Sequence, residues 1–537
     1  MSPRATDAHR LEKRLVRKQR RQAVRNLAVE ELAEHCERNQ WHTLVRKRCR
    51  SGAPTALTWN GAASHASTSD ARVDFFFGAQ RHSSPASVAA LVQASFAADP
   101  LDTLKIAAYV RDIRGGKGER DAFRHALVEL ARLSPDDVAA NLPLFAGRYG
   151  RFDDLLVLLG TPVEDRVVAL LAAQLQADVA ALATDAPVSL CAKWMPSEGR
   201  GPAHKLLCRH LRVTFAAFRK QYLAPLRQRL FLVERFMCAR EWTGINYKTI
   251  PSLALHRYNR AFDRHDHDRF TAWLHDLFTS QSTVNGKDIF PHQLVQRYIR
   301  SPHAPVDMLA EAQWAVLRSQ AAAIGNLGKT LVMSDVSGSM LHPNGLPMCV
   351  SIALGILISE VVPEPFRNLV LTFESNPCFH NVVGDNLQEK VHCLAKAPWG
   401  GSTNLARAME LILSTAKAAH VAPADMPERL VVISDMQFNG FNCGKITNLE
   451  HAAKLYRLAG YNLPHVVFWN VNGAIKDVHA TANDAGVSLI SGFTPNVLKA
   501  AVAAQIPQPA AKVSAITPFE TMRNAIDDAR YSDVRRA

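Results

Sequence analysis

Past residue 328 the apolar residues change period. Lys329-Thr330-Leu331-Val332-Met333-Ser334 is a short, continuously apolar run that ends in Asp335. Similar runs at 369–373, 429–434, 465–469 and 487–490 alternate with segments of helical spacing at 347–360, 403–419, 449–459 and 494–505. Strands that are apolar on both sides must be covered on both sides, which is the pattern of a parallel sheet between helical layers. A doubly wound, Rossmann-like sheet of this kind binds ligands at the carboxyl ends of its strands. The residues just after each run therefore carry the functional expectation.

The grammar before residue 328 is different. Residues 71–325 are repeatedly helical, with candidate helices at 84–97, 101–112, 118–132, 135–146, 151–159, 163–183, 202–218, 222–239, 254–262, 267–279 and 290–299. Connections are short and marked by Pro or Gly. The expected fold is multidomain α plus α/β: an all-α, HEAT-like solenoid followed by the doubly wound domain. The expected divisions are 1–60, a basic extension and linker; 61–327, helical repeats; 328–505, the α/β domain; and 506–537, a partly helical tail.

Three segments after strand ends carry chemistry. Asp335-Val336-Ser337-Gly338-Ser339 follows the first run, Gly400-Gly401-Ser402-Thr403-Asn404 opens a helix, and Ser434-Asp435-Met436 ends another run. Ser337, Ser339 and Thr403 offer neutral hydroxyl oxygens, which suit a hard cation such as Mg²⁺ or Mn²⁺. Asp335 and Asp435 add negative charge, directly or through water. So few carboxylates leave the ion electrophilic, with a position open to a partner's acidic group. The bland alternative is that Asp335 and Ser337 cap the helix at 347–360 and Thr403 caps the one at 403–419.

These residues resemble the metal-ion-dependent adhesion site (MIDAS) of the von Willebrand factor A (vWA) domain, complete at Asp335, Ser337, Ser339, Thr403 and Asp435. The resemblance covers about 328–505. It implies a doubly wound sheet whose divalent cation meets a partner's carboxylate. A wider resemblance, from about residue 60 to the C-terminus, rests on Tyr109 to Arg120, Arg148 to Leu155, Cys191 to Pro196, Phe290-Pro291-His292, Trp399-Gly400 and Ser434 to Phe438. It is to an uncharacterised domain-of-unknown-function family that joins a helical module to a C-terminal vWA domain. That arrangement is similar to the Ro ribonucleoprotein (TROVE-module) proteins, which implies small structured RNAs as ligands of the helical half. Where the family has W-G-x-N-T-N-F, this chain reads Trp399-Gly400-Gly401-Ser402-Thr403-Asn404-Leu405, and the Thr is kept.

Several basic residues are RNA-binding candidates. Arg111, Arg114, Lys117 and Arg120 surround the Gly115-Gly116 turn that opens a helix, where backbone N–H groups attract phosphate. The alternative is a connecting turn whose Arg residues pair with Asp112, Glu119 and Asp121. Arg148 and Arg151 flank Tyr149 and Phe152, a cation-plus-stacking surface suited to single-stranded RNA, and Lys193 beside Trp194 reads similarly. The alternative there is an aromatic pair closing a helical hairpin. His265-Asp266-His267-Asp268 reads as a capping turn rather than a metal site.

The 537 residues carry a formal net charge of +14. Residues 1–50 hold 14 Lys+Arg against 6 Asp+Glu, so more than half of the excess sits in an N-terminal arm. The nine cysteines are scattered without zinc-like spacing, which reads as reduced thiols and a cytoplasmic home. No stretch is long and apolar enough for membrane insertion. No nucleophile–base motif appears, so an enzyme is not expected. The expectation is a non-enzymatic RNA-binding scaffold whose cation recruits an acidic protein partner. The alternatives are a protein–protein adaptor without RNA, and a metal-dependent hydrolase acting on RNA or phosphate esters.

Overall fold

A computed structural model describes residues 55–197, 201–279, 284–286, 288–325, 327–373, 376–398, 403–440, 447–474, 477–502 and 516–537. The chain forms two units, 1–57 and 58–537. The arm 1–50, Gly400, Gly401 and Ser402 lie outside the described residues. The helical region and the sheet are both in the second unit.

The sheet has six strands: β1 Thr330–Ser334, β2 Leu369–Thr372, β3 Phe379–Asn381, β4 Arg429–Ser434, β5 His465–Asn470 and β6 Val487–Ser491. Their order is β3-β2-β1-β4-β5-β6. Every pair is parallel except β2 with β3. All five residues of β1 and all six of β4 are buried, as their unbroken apolar runs require. The chain leaves β1 toward β2 and leaves β4 toward β5. The crevice between β1 and β4 is thus the point where the winding reverses. The edge strand β3 is three residues long, too short to show a period in the sequence.

Helices precede this sheet from Ala71–Gly78 to Met308–Ala322. Many begin on a side chain that takes the first unpaired N–H groups. Asp70 accepts from Arg72 and Val73, and Asp99 from Asp102 with Pro100 at the first helical position. The expected long helices at 202–218 and 222–239 are divided elsewhere. Pro202–Leu211 stops at Arg212, whose φ of 56° ends the turn, and a new helical run from Phe215 reaches Arg229 before Val233–Ala239.

The helical half does not stand apart from the sheet. One continuous apolar core runs from Phe75, Phe123 and Leu155 to Val432, Phe468 and Ile490. A second joins Leu294, Tyr298 and Trp314 to Ile352, Ile356 and Val370, so the last helices of the first half cover the helix Leu346–Val361. The end of the chain straps both halves. The helix Pro518–Ile526 lies on β6, where Thr521 Oγ1 is 2.8 Å from Ser488 Oγ. Arg523 pairs with Asp102 at 2.6 Å, Arg536 with Asp137 at 2.7 Å, and Arg530 with the buried Asp112.

Candidate metal centre

β1 and β4 are in register, and the backbone N–H of Asp335 donates to Ile433 O at 2.9 Å. Asp335 and Asp435 therefore leave neighbouring strands at the centre of the sheet, both fully buried. Asp335 Oδ1 accepts the N–H of Ser337 at 2.9 Å, and Oδ2 accepts the hydroxyl of Ser434 at 2.5 Å. These bonds turn the chain so that the hydroxyls of Ser337 and Ser339 lie 3.1 Å apart. Two oxygens at right angles around Mg²⁺, each about 2.1 Å from the ion, would be about 3.0 Å apart. The separation thus matches one edge of an octahedron.

Asp435 Oδ1 accepts the N–H of Gln437 at 3.1 Å. Its Oδ2 is buried without a hydrogen-bond partner among the described residues. A buried, unsatisfied carboxylate oxygen is costly, and a cation is one group that could supply what it lacks. Burial raises the pKa of both carboxyls, and the charge of Asp435 raises Asp335 further. Burial also pushes nearby Asp477 up to about 6, with Asp435 adding to the rise.

Thr403 is buried beside the segment that follows β4. Its hydroxyl donates to Gln437 O, and its backbone exchanges hydrogen bonds with Asn439. It does not cap the next helix: Asn404 does, accepting from Arg407 N–H at 3.0 Å. Nor do Asp335 and Ser337 cap Leu346–Val361, which begins after Gly345 without a side-chain cap. Both bland alternatives fail on this geometry. Among the described residues, no three His, Cys, Asp or Glu cluster to hold a metal. A cation here would rest on the carboxylates of Asp335 and Asp435 and the hydroxyls of Ser337 and Ser339, with Thr403 tied to the same segment through Gln437.

Sequence reasoning missed the groups that hold these side chains. Ser434 orients Asp335, and Gln437 links Asp435, Thr403 and Asp477. Asn60, from before the first helix, donates to Gln437 O at 2.8 Å and lies 3.5 Å from Thr403 Oγ1. The run Ser434 to Phe438 carried a weak signal for Ser434 and Gln437. Nothing local signalled Asn60, which lies 343 residues from Thr403.

The geometry corrects most of the RNA candidates. At the Gly115-Gly116 turn, the N–H groups of Gly116 and Gly118 donate to Asp112 O, Lys117 to Tyr109 O and Glu119 to Val110 O. Four N–H groups of that turn are thereby engaged within the protein. Arg111 is buried and pairs with Asp154 at 2.7 Å. Arg120 pairs with Asp153 and Asp154 rather than with Glu119 or Asp121. Lys117 is fully buried, and its Nζ donates to Phe76 O, Ala79 O and Ser491 Oγ, joining the first helix to β6. Burial lowers its pKa to about 7. Arg148 pairs with Asp533 of the tail, and Tyr149 donates to Arg530 O. Arg151 and Lys193 both lie over Trp194, at 4.5 and 5.5 Å. Arg114 is 67% exposed, 4.0 Å from Asp288. In the His265 to Asp268 run, Asp266 accepts from Tyr247 and Arg269 between two helices, and His267 pairs with Asp263.

Two family models match the chain: Domain of unknown function (DUF2828) over residues 58–167 and 200–327, and Domain of unknown function (DUF7788) over residues 329–526. Among solved structures, the chain is similar to the crystal structure of Deinococcus radiodurans RO (RSR) protein, with a TM-score of 0.47 and 16% identity over 85% of this chain and 99% of that one. No helix among the described residues is long and apolar enough to cross a membrane. Among curated proteins, "Uncharacterized protein L728" of Acanthamoeba polyphaga mimivirus is 32% identical over 487 residues, covering 83% of this chain and 84% of that protein. The chain belongs to the family of that mimivirus protein, with a DUF2828 region followed by a DUF7788 region.

Proposed function

We propose that this protein is a non-enzymatic scaffold whose α/β part is a vWA-like domain with a divalent-cation adhesion site. Asp335, Ser337, Ser339, Thr403 and Asp435 hold Mg²⁺ or Mn²⁺, and the open coordination position takes a carboxylate from a protein partner. The HEAT-like helical half carries RNA. The observation that carries the cation reading is the buried, unpartnered Oδ2 of Asp435 beside a second buried carboxylate. Like charges in a dry site repel unless a cation lies between them. The position of the pair, where the strand order reverses, supports the same reading. The all-oxygen donor set favours a hard ion over zinc.

Calorimetric titration of the protein with Mg²⁺ tests this. Wild type should bind one ion, and Asp435→Asn and Thr403→Val should not. Equal binding by all three would refute the site. The RNA half is tested by purification without nuclease and sequencing of any bound nucleic acid. Protein free of RNA, with no salt-sensitive RNA binding, refutes it. Mg²⁺-dependent cleavage of that RNA, lost in Asp435→Asn, would favour the hydrolase reading instead.

A further inference from the structure

Positive charge is very unevenly spread over the described residues. Residues 202–269 hold 14 Lys+Arg against 5 Asp+Glu, whereas the α/β region 329–526 holds 14 of each. All of those fourteen basic side chains except Arg227 and Arg229 are exposed. One element of this region is the helix Ser252–His265. Its inner face is fixed by Leu255 and Phe262, both fully buried. Arg257, Arg260 and Arg264 are all exposed. Spaced by three and four residues, they line one outer face over about 10 Å. Among the described residues none of the three is in an ion pair, and Arg257 reaches the hydroxyl of Tyr258. The neighbouring acids are largely engaged: Asp263 with His267 at 2.9 Å, and Asp266 with Arg269 and Tyr247, leaving Asp268 exposed. At the end of the stripe, Trp242 and His265 stack at 4.6 Å with an angle of 15° between their planes.

We infer that the outer face of Ser252–His265, with Arg257, Arg260 and Arg264 as phosphate contacts and the Trp242–His265 stack as a base platform, is the surface on which this protein holds single-stranded RNA. The inference rests on the RNA reading above and gives it a place. Guanidinium groups one helical turn apart can follow successive phosphates, and an aromatic plane beside them takes an unpaired base. An anionic membrane fits less well. A helix lying on lipid must bury its own apolar face there, and here that face is already inside the protein.

The experiment measures binding of the full chain to a fluorescent 20-nucleotide single-stranded RNA over a series of salt concentrations. It compares wild type with the triple variants Arg257→Ser/Arg260→Ser/Arg264→Ser and Arg257→Lys/Arg260→Lys/Arg264→Lys. Loss of three phosphate contacts should reduce the slope of log affinity against log salt by about 2, since each contributes about 0.7. The serine variant should bind about tenfold more weakly at low salt or worse. The lysine variant should keep the wild-type slope. Melting curves of both variants should overlay that of wild type, because the three side chains are exposed. A serine variant that binds RNA with the wild-type affinity and slope overturns this surface and leaves the RNA reading standing. Wild-type protein that binds no RNA at low salt overturns both. Binding of wild type to phosphatidylserine vesicles but not RNA, lost in the serine variant, overturns the choice of RNA and assigns the face to membranes.

Discussion

Replacing Asp335 by Asn should stabilise the protein when no divalent cation is present. Asp335 is fully buried beside Asp435, and its pKa is raised from 3.8 to about 7 by burial first and by Asp435 second. An acid whose pKa is higher folded than unfolded binds more protons when folded. Its ionisation therefore costs stability progressively as pH rises from about 4 to 7, and the full cost is present above 7. A rise of about 3 units corresponds to at most about 4 kcal/mol. Asn keeps an acceptor for the N–H of Ser337 and carries no charge. In EDTA at pH 8, thermal unfolding of Asp335→Asn should occur about 2–4 °C above wild type, given the large unfolding entropy of a unit of this size. The gap should shrink toward zero near pH 4. Mg²⁺ should narrow the gap: at about a hundred times its dissociation constant it stabilises wild type by about 2.7 kcal/mol and the variant by none. Cation affinity should also weaken as pH falls below 7, because protons compete for the same carboxylates. A variant less stable than wild type in EDTA at pH 8, or stabilised equally by Mg²⁺, would refute the picture of two repelling carboxylates awaiting an ion.

Other substitutions separate the site from its scaffold. Thr403→Val keeps the shape but loses one ligand and the hydrogen bond to Gln437 O, so it should cost about 1 kcal/mol of stability and abolish the Mg²⁺-induced shift in melting temperature. Lys117→Met strands Phe76 O and Ala79 O in the interior. It should destabilise by about 2–4 kcal/mol, read by thermal unfolding, with RNA affinity unchanged, the reverse of a phosphate contact. Asp112→Asn removes the carboxylate that Arg530 and Tyr531 share. It should cost about 3 kcal/mol and speed proteolytic loss of the tail, read by limited proteolysis and mass spectrometry.

The residues of the candidate metal centre were legible because each sits at a local landmark. The end of an apolar run marks Asp335 and Asp435, and a glycine-rich helix start marks Thr403. A parallel strand buried on both faces cannot hide its own boundaries, which is why β4 was located to the residue. Arg111, Lys117, Arg120 and Arg148 mislead for the complementary reason: each is engaged inside the protein. Arg111, Arg120 and the Asp153-Asp154 pair stand out in two separate segments, but they stand out because the segments bind each other. A sequence shows that a charge exists and not what neutralises it. Exposure, not count, then decides which charges remain for a partner. By that measure the stripe at Arg257, Arg260 and Arg264 leaves more charge open to a partner than the turn at Gly115-Gly116 does.

Local patterning was enough to set the period of each half, the change of fold near residue 328 and the residue types at the strand ends. These follow from local alternation of polar and apolar side chains, which needs no knowledge of distant contacts. The core shared by the helical half and the sheet, the tail that straps them together, and the reach of Asn60 and Gln437 to Thr403 emerge only in the folded chain. Those contacts join residues up to hundreds of positions apart. They are fixed by which surfaces exclude water together when the whole chain folds, and no local pattern records that.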